Sequence, residues 1–372
     1  MSKKYHGRIG LSYSLQYKRE AVRGKAVITA TSETFVSIDK VHQLDRLIRR
    51  DPARRGLISS EPEFGPLCAE HLAEAALHLA KHGRTVGIVT GFYIPHADVP
   101  AAETDGPLGA LMLAATLESI GMNTLIITDR HCASAISAGR ESVGLSDEQI
   151  VIAPDDAASW VNEFLQSDRV QSLSHLIAVE RVGPGHTQES LSLQSENDAG
   201  QIANFLQAVP PESRGRCHNM RGQIIDAHTP ELHRLFEELS RVHPQAKTVG
   251  IGDGANEIGM GAVPWGELVR RLASEVAPRI PCRIATDWNI IAGTSNWGAY
   301  ALAAAVALLK DGSESLQPWD ANHQQQMLET IVSNGPAVDG VTGRREATVD
   351  GLPFLTFIQP WLEMRRLLGL ID

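Results

Sequence analysis

Residues 248–261 read Thr-Val-Gly-Ile-Gly-Asp-Gly-Ala-Asn-Glu-Ile-Gly-Met-Gly, a short apolar segment that runs into a glycine-rich loop with two acids and an amide. Segment 248–251 is apolar almost throughout, which is typical of a parallel strand covered on both faces. Glycine costs conformational entropy, so it is concentrated where the backbone needs a positive φ or a close approach. Because four of the ten residues 252–261 are glycine, we expect a functional loop at the end of this strand.

The same unit, an apolar segment followed by a helical pattern, recurs along the chain. Alternating strands and helices predict an α/β fold, a three-layer α/β/α arrangement with a mainly parallel, doubly wound sheet. The other predicted strands are 26–30, 85–90, 124–128, 151–153, 175–179 and 283–286. The clearest predicted helices are 67–81, 230–241 with Thr229 as its N-cap, and an almost wholly apolar 296–310. We expect residues 1–24 to form an N-terminal arm and residues 25–372 to form the α/β domain.

The composition excludes several classes of protein. Hydrophobic residues make up 43% of the chain and charged residues 21%, which is typical of a globular protein rather than a disordered one. The formal net charge of −10 has the wrong sign for phosphate backbones, so no nucleic acid partner is expected. No apolar run reaches the ~18 residues of a membrane span, so no membrane partner is expected. A polar start without an apolar segment behind it, and four isolated cysteines, predict a cytoplasmic protein with reduced thiols.

Acidic residues follow most of the predicted strands. Ligands of doubly wound sheets gather beyond the carboxyl ends of the strands, so these acids are expected to converge on one edge. Four of these acids also have a structural interpretation: Asp105 as a helix cap, Asp129 and Asp287 as turn formers, and Glu180 as the ion-pair partner of the next residue. Taken together they predict an acidic active site. The acids are Asp105, Asp129, Glu180, Asp253, Glu257 and Asp287.

Known glycine motifs match the loop 252–261 poorly. A P-loop ends in Gly-Lys-Ser or Gly-Lys-Thr, and this loop has no lysine. The dinucleotide fingerprint matches only weakly, so neither a nucleotide nor pyridoxal phosphate is expected as a cofactor. The run Gly-Asp-Gly-x-Asn-Glu is similar to the last acidic motif of haloacid-dehalogenase-type phosphatases. Their Asp-x-Asp-x-Thr nucleophile loop is missing after Asp129 and after Asp287, which leaves such a phosphatase as an alternative.

Several segments together resemble the D-glutamate cyclase C-terminal domain family, long catalogued as a domain of unknown function. The resemblance runs from about residue 25 to 360, nearly the whole chain, with its motifs in order. The segments are 89–92 (VTGF), 103–110 (ETDGPLGA), 180–184 (ERVGP), 219–222 (NMRG), 252–261, 295–302 (SNWGAYAL), 339–343 (DGVTG) and 349–352 (VDGL).

The resemblance implies a hydro-lyase that converts D-glutamate to 5-oxo-D-proline with loss of water, activated by a divalent metal such as manganese or magnesium. In animals the similar domain follows another domain and works in mitochondria. Here it stands with only a short arm, so a related acid is an alternative substrate.

The reaction requires residue types that the sequence offers. The substrate ammonium must lose a proton to a general base, and a metal or an arginine must neutralise the side-chain carboxylate. The predicted catalytic residues are Glu180, Asp253, Glu257 and Asp105, and the predicted metal ligands are Asp105, Asp253, Glu257 and Asp287. The predicted substrate-binding residues are Arg181, Arg221, Asn219, Asn256, Gly254 and Asn296. From the sequence alone, the roles of these acids are interchangeable.

Two other functions stay open. A phosphatase or nucleotide-binding enzyme would use the glycine-rich loop for phosphate, and a non-catalytic sensor would bind an acidic metabolite. The density of acids disfavours a pure anion receptor, and the expected partner is a small acidic amino acid. The N-terminal arm and the buried helix predicted at 296–310 favour a homo-oligomer, with a dimer as a plausible form.

Overall fold

The computed structural model describes residues 32–59, 63–194 and 198–371. The predicted arm 1–24 and the predicted strand 26–30 lie outside these residues. The strands are β1 Thr85–Thr90, β2 Tyr93–Ile94, β3 Ala101–Ala102, β4 Asn123–Asp129, β5 Ile150–Ala153, β6 Leu173–Val179, β7 Lys247–Gly252, β8 Trp288–Ile291, β9 Thr348–Val349 and β10 Leu352–Pro353.

The α-helices occupy most of the segments between the strands. They are α1 Ser32–Ile48, α2 His71–His82, α3 Pro107–Ser119, α4 Ala133–Arg140, α5 Ala157–Gln166, α6 Gln188–Gln194, α7 Ala199–Ala208, α8 Arg234–Val242, α9 Trp265–Leu272, α10 Ser295–Leu309, α11 Ala321–Asn334, α12 Phe354–Phe357 and α13 Gln359–Leu367. Within the described ranges, every helix is too short or too polar to traverse a lipid bilayer.

Six strands form one sheet in the order β5-β4-β1-β6-β7-β8, and every neighbouring pair is parallel. The chain runs outward from β1 through β4 to β5, returns to β6 beside β1, and continues to β7 and β8. The sheet is therefore doubly wound, as predicted. Its topological switch point lies between β1 and β6, where folds of this kind bind their ligands beyond the carboxyl ends.

Two apolar cores cover the two faces of this sheet. Successive strand residues point to opposite faces, so Ile126 of β4 belongs to one core and Ile127 to the other. The first core includes side chains of α1, α2, α3, α10 and α11, and the second includes side chains of α5, α8 and α9. This arrangement confirms the three-layer α/β/α fold.

Helix α10 is buried from Ser295 to Ala307, as its apolar sequence predicts. It packs against α3, and the close approach depends on small residues. A Cβ added at Gly109 of α3 would lie 2.8 Å from the Cβ of Ala299. The packing places the first residues of α10 beside the loop that leads into α3, where part of the candidate site lies.

Three local predictions are wrong. The helix predicted from residue 67 begins at His71. The predicted strand 283–286 is a loop in which Ala285 forms only isolated bridges with the glycine-rich loop, and the edge strand is β8, which begins later. The helix predicted from residue 230 begins at Arg234. Thr229 does not cap it, because its hydroxyl donates a hydrogen bond to the carbonyl of Ile225 at 3.0 Å.

Candidate active site

A cavity of about 320 Å³ opens at the carboxyl edge of the sheet, beside the switch point. Part of its lining is apolar, with Phe92, Ile94 and Met220 among the contributing side chains. The rest is polar and strongly acidic. The polar side chains of the lining are Arg55, His96, Glu103, Glu180, Asn219, Arg221, Asp253, Asn256, Glu257 and Thr342.

Three acids from three separate segments meet here, of which Glu180 and Asp253 line the cavity and Asp105 lies beside them. Asp105 precedes α3, Glu180 directly follows β6, and Asp253 directly follows β7. Each offers one carboxylate oxygen, these oxygens all lie within 4.8 Å of one another, and all three residues are buried. The structure thus brings together three of the acids that the sequence places after its strands. We call this group the acidic triad.

Asp105 is held by the first turn of α10. Its carboxylate accepts hydrogen bonds from the backbone N–H of Ser295 at 2.8 Å and of Asn296 at 2.9 Å. Asp105 therefore satisfies N–H groups at the start of α10 as well as belonging to the triad. Burial raises the pKa of Asp105 to about 7, although these hydrogen bonds favour the charged form.

Glu180 adopts an uncommon backbone conformation that directs it to the triad. Its φ is +45°, in the left-handed region that residues other than glycine rarely adopt. Its Oε2 accepts a hydrogen bond from the hydroxyl of Ser295 at 2.5 Å. Burial, together with the neighbouring carboxyls of Glu257 and Asp105, raises its pKa well above the usual value. A Cβ added at Gly106, which itself has a positive φ, would lie 2.7 Å from the Cβ of Glu180, so this contact requires glycine.

The glycine-rich loop folds around the carboxyl group of Glu257. One oxygen, Oε1, accepts a hydrogen bond from the backbone N–H of Gly254 at 2.7 Å. A Cβ at Gly254 would lie 2.8 Å from that same oxygen, which explains the glycine there. The other oxygen, Oε2, is buried and has no hydrogen-bond partner within the described ranges. Burial raises the pKa of Glu257 and, more strongly, that of Asp253.

Three charged residues of the site were not among the site residues predicted from the sequence. The guanidinium of Arg55 forms an ion pair with Asp253 and donates hydrogen bonds to Asp350 at 3.0 and 3.3 Å. Glu103 lines the cavity, and burial with nearby Glu180 raises its pKa well above the usual value. Glu103 and Asp350 lie in segments that carry the family resemblance, so a signal for them was present. For Arg55 the sequence offers no such signal.

Asp339 organises one wall of the cavity from behind. It is fully buried, and its Oδ1 accepts hydrogen bonds from the backbone N–H of Val341 at 2.9 Å and of Thr342 at 2.7 Å. Its Oδ2 accepts from the N–H of Gly351 at 2.7 Å. One carboxylate therefore joins the wall 340–343 to the turn that presents Asp350.

The structure places four of the predicted substrate-binding residues at or beside the cavity. Arg221 and Asn219 are on its lining, and Arg221 is exposed there, with only a 3.5 Å contact from its Nη2 to the carbonyl of Val341. Asn256 donates from its amide to the carbonyl of His218 at 2.9 Å, and its Oδ1 is buried without a partner. The N–H of Gly254 is already bound to Glu257.

Two further substrate-binding predictions are corrected. Arg181 is fully buried, forms an ion pair with Asp129, and donates to the carbonyls of Gly91 at 2.9 Å and Pro230 at 2.7 Å. It ties three loops together and does not line the cavity. Asn296 is a scaffold residue, because its Oδ1 accepts hydrogen bonds from the backbone N–H of Gly106, directly before α3, at 3.0 Å and of Gly109, in the first turn of α3, at 2.7 Å.

The metal-ligand prediction for Asp287 is also corrected. Because the strand begins at Trp288 rather than at 283, Asp287 lies at the amino end of β8, the opposite edge of the sheet from the triad. There its carboxylate binds the ammonium of Lys247 at 2.7 Å and the N–H of Thr248 at 2.8 Å. Lys247 and the hydrogen bonds from Thr248 lower its pKa against the effect of burial, which acts in the other direction.

The phosphatase alternative loses its nucleophile. Asp129 is fully buried, with one oxygen in the ion pair with Arg181 and the other accepting the N–H of His131 at 2.8 Å. Because Asp129 is enclosed and is not among the described residues that line the cavity, neither of its oxygens can reach a substrate bound there.

The charges of the site do not balance by themselves. Six buried carboxyls cluster here, whereas Arg55 is the only cationic side chain among the described residues in ion-pair contact with any of them. Oxygens of Glu103 and Glu257 are buried without a partner. Hard oxygen donors of this kind suit magnesium or manganese, so the donor set fits a divalent cation. The carboxyls are Glu103, Asp105, Glu180, Asp253, Glu257 and Asp350.

We expect the metal-free protein to become more stable as the pH falls from 8 to 6.5. Burial raises the pKa of Asp105 to about 7 and the pKa values of Glu103, Glu180 and Asp253 well above their usual range, so the folded state binds protons in this range that the unfolded chain does not. The buried imidazoles of His175, His186 and His233, whose pKa values burial lowers to about 3, about 4 and about 3, act in the opposite direction below about pH 7, where the histidines of the unfolded chain gain charge, and we expect the four acids to outweigh them down to pH 6.5. Thermal unfolding in the presence of chelator measures this, and an unfolding temperature that falls between pH 8 and 6.5 would contradict it.

The doubly wound sheet and the acid-lined cavity at its switch point define an α/β protein with an acidic cavity at the edge where such folds bind their ligands. The chain belongs to the family described as D-glutamate cyclase-like, C-terminal, which matches residues 44–199 and 205–359. It is 29% identical over 343 residues to human mitochondrial D-glutamate cyclase, an alignment that covers 85% of this chain and 49% of the human protein. The chain therefore spans about half the length of that relative.

Proposed function

We propose that this chain is a hydro-lyase that closes D-glutamate into 5-oxo-D-proline with loss of water. The family membership suggests the substrate. The observation that carries the proposal is the set of buried carboxyls with raised pKa values around a cavity open to a small molecule. Groups of this kind can both accept and return protons near neutral pH.

The proposed reaction forms a bond between the amine nitrogen and the side-chain carboxyl carbon, and it breaks one carbon–oxygen bond of that carboxyl. The nitrogen gives up two protons as ammonium becomes amide, and the departing oxygen takes up two and leaves as water. Glu257 is suited to carry a proton between them. Glu257 lines the cavity. Its Oε1 is fixed by the N–H of Gly254, whereas its buried Oε2 has no hydrogen-bond partner among the described residues.

A divalent cation held by Asp105, Glu180 and Asp253 would neutralise the substrate carboxylate and stabilise the negative charge that develops on its oxygen. Asp105 and Glu180 are kept in place for this by the first turn of α10, through backbone and hydroxyl donors. The choice between manganese and magnesium is part of the proposal.

Arg221 is suited to bind the α-carboxylate of the substrate at the mouth of the cavity. We expect Arg221→Ala to raise KM about tenfold or more with a smaller change in kcat, because a charge-assisted hydrogen bond contributes about 1.5–3 kcal/mol. Steady-state kinetics would measure this. Arg241→Ala, at an exposed arginine paired with Glu238 outside the cavity, is the matched control, and an unchanged KM in Arg221→Ala would remove Arg221 from the substrate site.

Proton NMR of the purified protein with manganese and either D- or L-glutamate tests the proposed function. We expect 5-oxoproline from the D-isomer alone. No product from either isomer would reject D-glutamate as substrate and direct the search to related acids. The cytoplasmic location, the acidic amino-acid partner and the homo-oligomer stay predictions, and size-exclusion chromatography with light scattering measures the last.

A further inference from the structure

A cluster of histidines lies at the amino edge of the sheet, opposite the acidic triad. His78 and His82 are four residues apart on α2, so they share one helix face, and their ring centroids are 4.6 Å apart. His175 reaches them from β6, with its ring centroid 5.0 Å from that of His78. The Nδ1 of His78 and the Nε2 of His175 are separated by 2.9 Å. A cavity of about 350 Å³ is lined by His78 and His82.

The hydrogen bonds of Ser174 determine which ring nitrogen of His175 carries the proton. The hydroxyl of Ser174 donates to the carbonyl of Thr85 at 3.0 Å and accepts the N–H of Arg84 at 2.9 Å. Its one proton is therefore used, so its 3.0 Å contact with the Nδ1 of His175 must be donated by that nitrogen. The Nε2 of His175 is left with a lone pair that points at His78.

We propose that His78, His82 and His175 form a binding site for a borderline divalent transition metal such as zinc, nickel or cobalt. A metal-binding imidazole typically donates its other N–H to a fixed acceptor, which Ser174 already provides for His175. Two nitrogens on one tetrahedral zinc ion lie about 3.3 Å apart, because each Zn–N bond is about 2.0–2.1 Å. The observed distance of 2.9 Å between the Nδ1 of His78 and the Nε2 of His175 would have to increase only slightly. When the metal binds, the proton on the Nδ1 of His78 moves to its Nε2, so the imidazole stays neutral.

The surroundings of the cluster suit this role. His175 is fully buried, and because its Nδ1 donates to Ser174, its Nε2 offers the lone pair that a metal ion needs. His82 is exposed and its ring contacts that of His78, so a rotation of its side chain is needed to bring a ring nitrogen to the pair. The charge of nearby Lys247 is compensated by Asp287 at 2.7 Å. Lys81 and Arg84 also line the cavity, and both are exposed side chains that would turn toward solvent when a cation binds. Nitrogen donors select borderline metals, whereas the carboxylates of the acidic triad select manganese or magnesium.

Titration of the tag-free protein with nickel or cobalt, by calorimetry and by the visible absorption of cobalt, tests the site. With excess magnesium present to occupy the acidic triad, we expect saturable binding of one nickel or cobalt ion, and His82→Ala should weaken it at least about tenfold, since even loss of an outer hydrogen bond to a ligand costs that much. His82 is exposed, so the variant should fold normally. His42→Ala, which removes a histidine from α1, and Asp253→Asn, which alters the triad, should bind the ion as the wild type does.

Absence of saturable binding would overturn the proposal. So would an affinity that is the same in His82→Ala and in the wild type, or one that Asp253→Asn abolishes, because the ion would then occupy the triad. The test does not depend on D-glutamate turnover, so this inference and the proposed function stand or fall separately.

Discussion

Asp253→Asn is expected to lower turnover of D-glutamate by about a thousandfold while the protein stays folded. The substitution keeps the volume but removes one charge of the triad and weakens the ion pair with Arg55. Effects of about 10²–10⁴ are typical when a charged group acts directly on the reacting atoms. Because burial raises the pKa of Asp253, its ionised form is unfavourable in the folded state. We therefore expect the unfolding temperature of the metal-free variant to equal or exceed that of the wild type.

The matched control is Asp155→Asn, the same chemical change at an exposed aspartate paired with Arg130. It should leave both turnover and unfolding temperature close to the wild-type values. Turnover of Asp253→Asn near the wild-type rate would show that the acids around the glycine-rich loop are not the catalytic site.

Removal of divalent metal is expected to suppress turnover to a similar extent, and manganese or magnesium should restore it. Among the residues that the structure describes, the cluster holds six carboxyls against one contacting guanidinium, that of Arg55. It needs either protons or a cation, and the substrate adds two carboxylates. Manganese should also raise the unfolding temperature, more strongly at pH 8 than at pH 6.5, because the metal competes with protons for the same oxygens.

Thermal unfolding of Asp253→Asn with and without manganese is the control for this second prediction. The shift caused by manganese should be largely lost in the variant, because one ligand of the triad is replaced. A chelated wild-type enzyme with full activity would contradict metal assistance. Arg55 and Arg221 would then neutralise the substrate without a cation.

Simple rules on the sequence located much of the site because the geometry of parallel sheets enforces it. The carboxyl ends of parallel strands share an edge, so acids that directly follow strands, such as Glu180 and Asp253, must converge. The strand at 85–90 was predicted with the bounds that β1 has. The predicted strand 283–286 is wrong, and the prediction for Asp287, which follows it, is wrong as a consequence. For that reason alone Asp287 was expected at the carboxyl edge of the sheet, whereas it lies at the amino edge.

Other parts of the site depend on contacts that residue types do not encode. Arg55 donates a hydrogen bond to Asp350, which is 295 positions away in the sequence, and no local sequence pattern predicts such a long-range pair. Arg181 and Arg221 were both expected to bind substrate. Only the packed structure shows that the first is enclosed by carbonyl groups and Asp129, whereas the second faces the cavity. The same holds for Asn296, whose side-chain oxygen accepts hydrogen bonds from backbone N–H groups at the start of α3.

The most direct test of the account uses D-glutamate whose side-chain carboxylate carries two ¹⁸O atoms. Mass spectrometry of the product formed by the wild type with manganese should show 5-oxoproline that retains one label, because the other leaves as water. Asp253→Asn under the same conditions should form almost none. Absence of 5-oxoproline from the wild type, or equal amounts from both proteins, would contradict ring closure at the acidic triad.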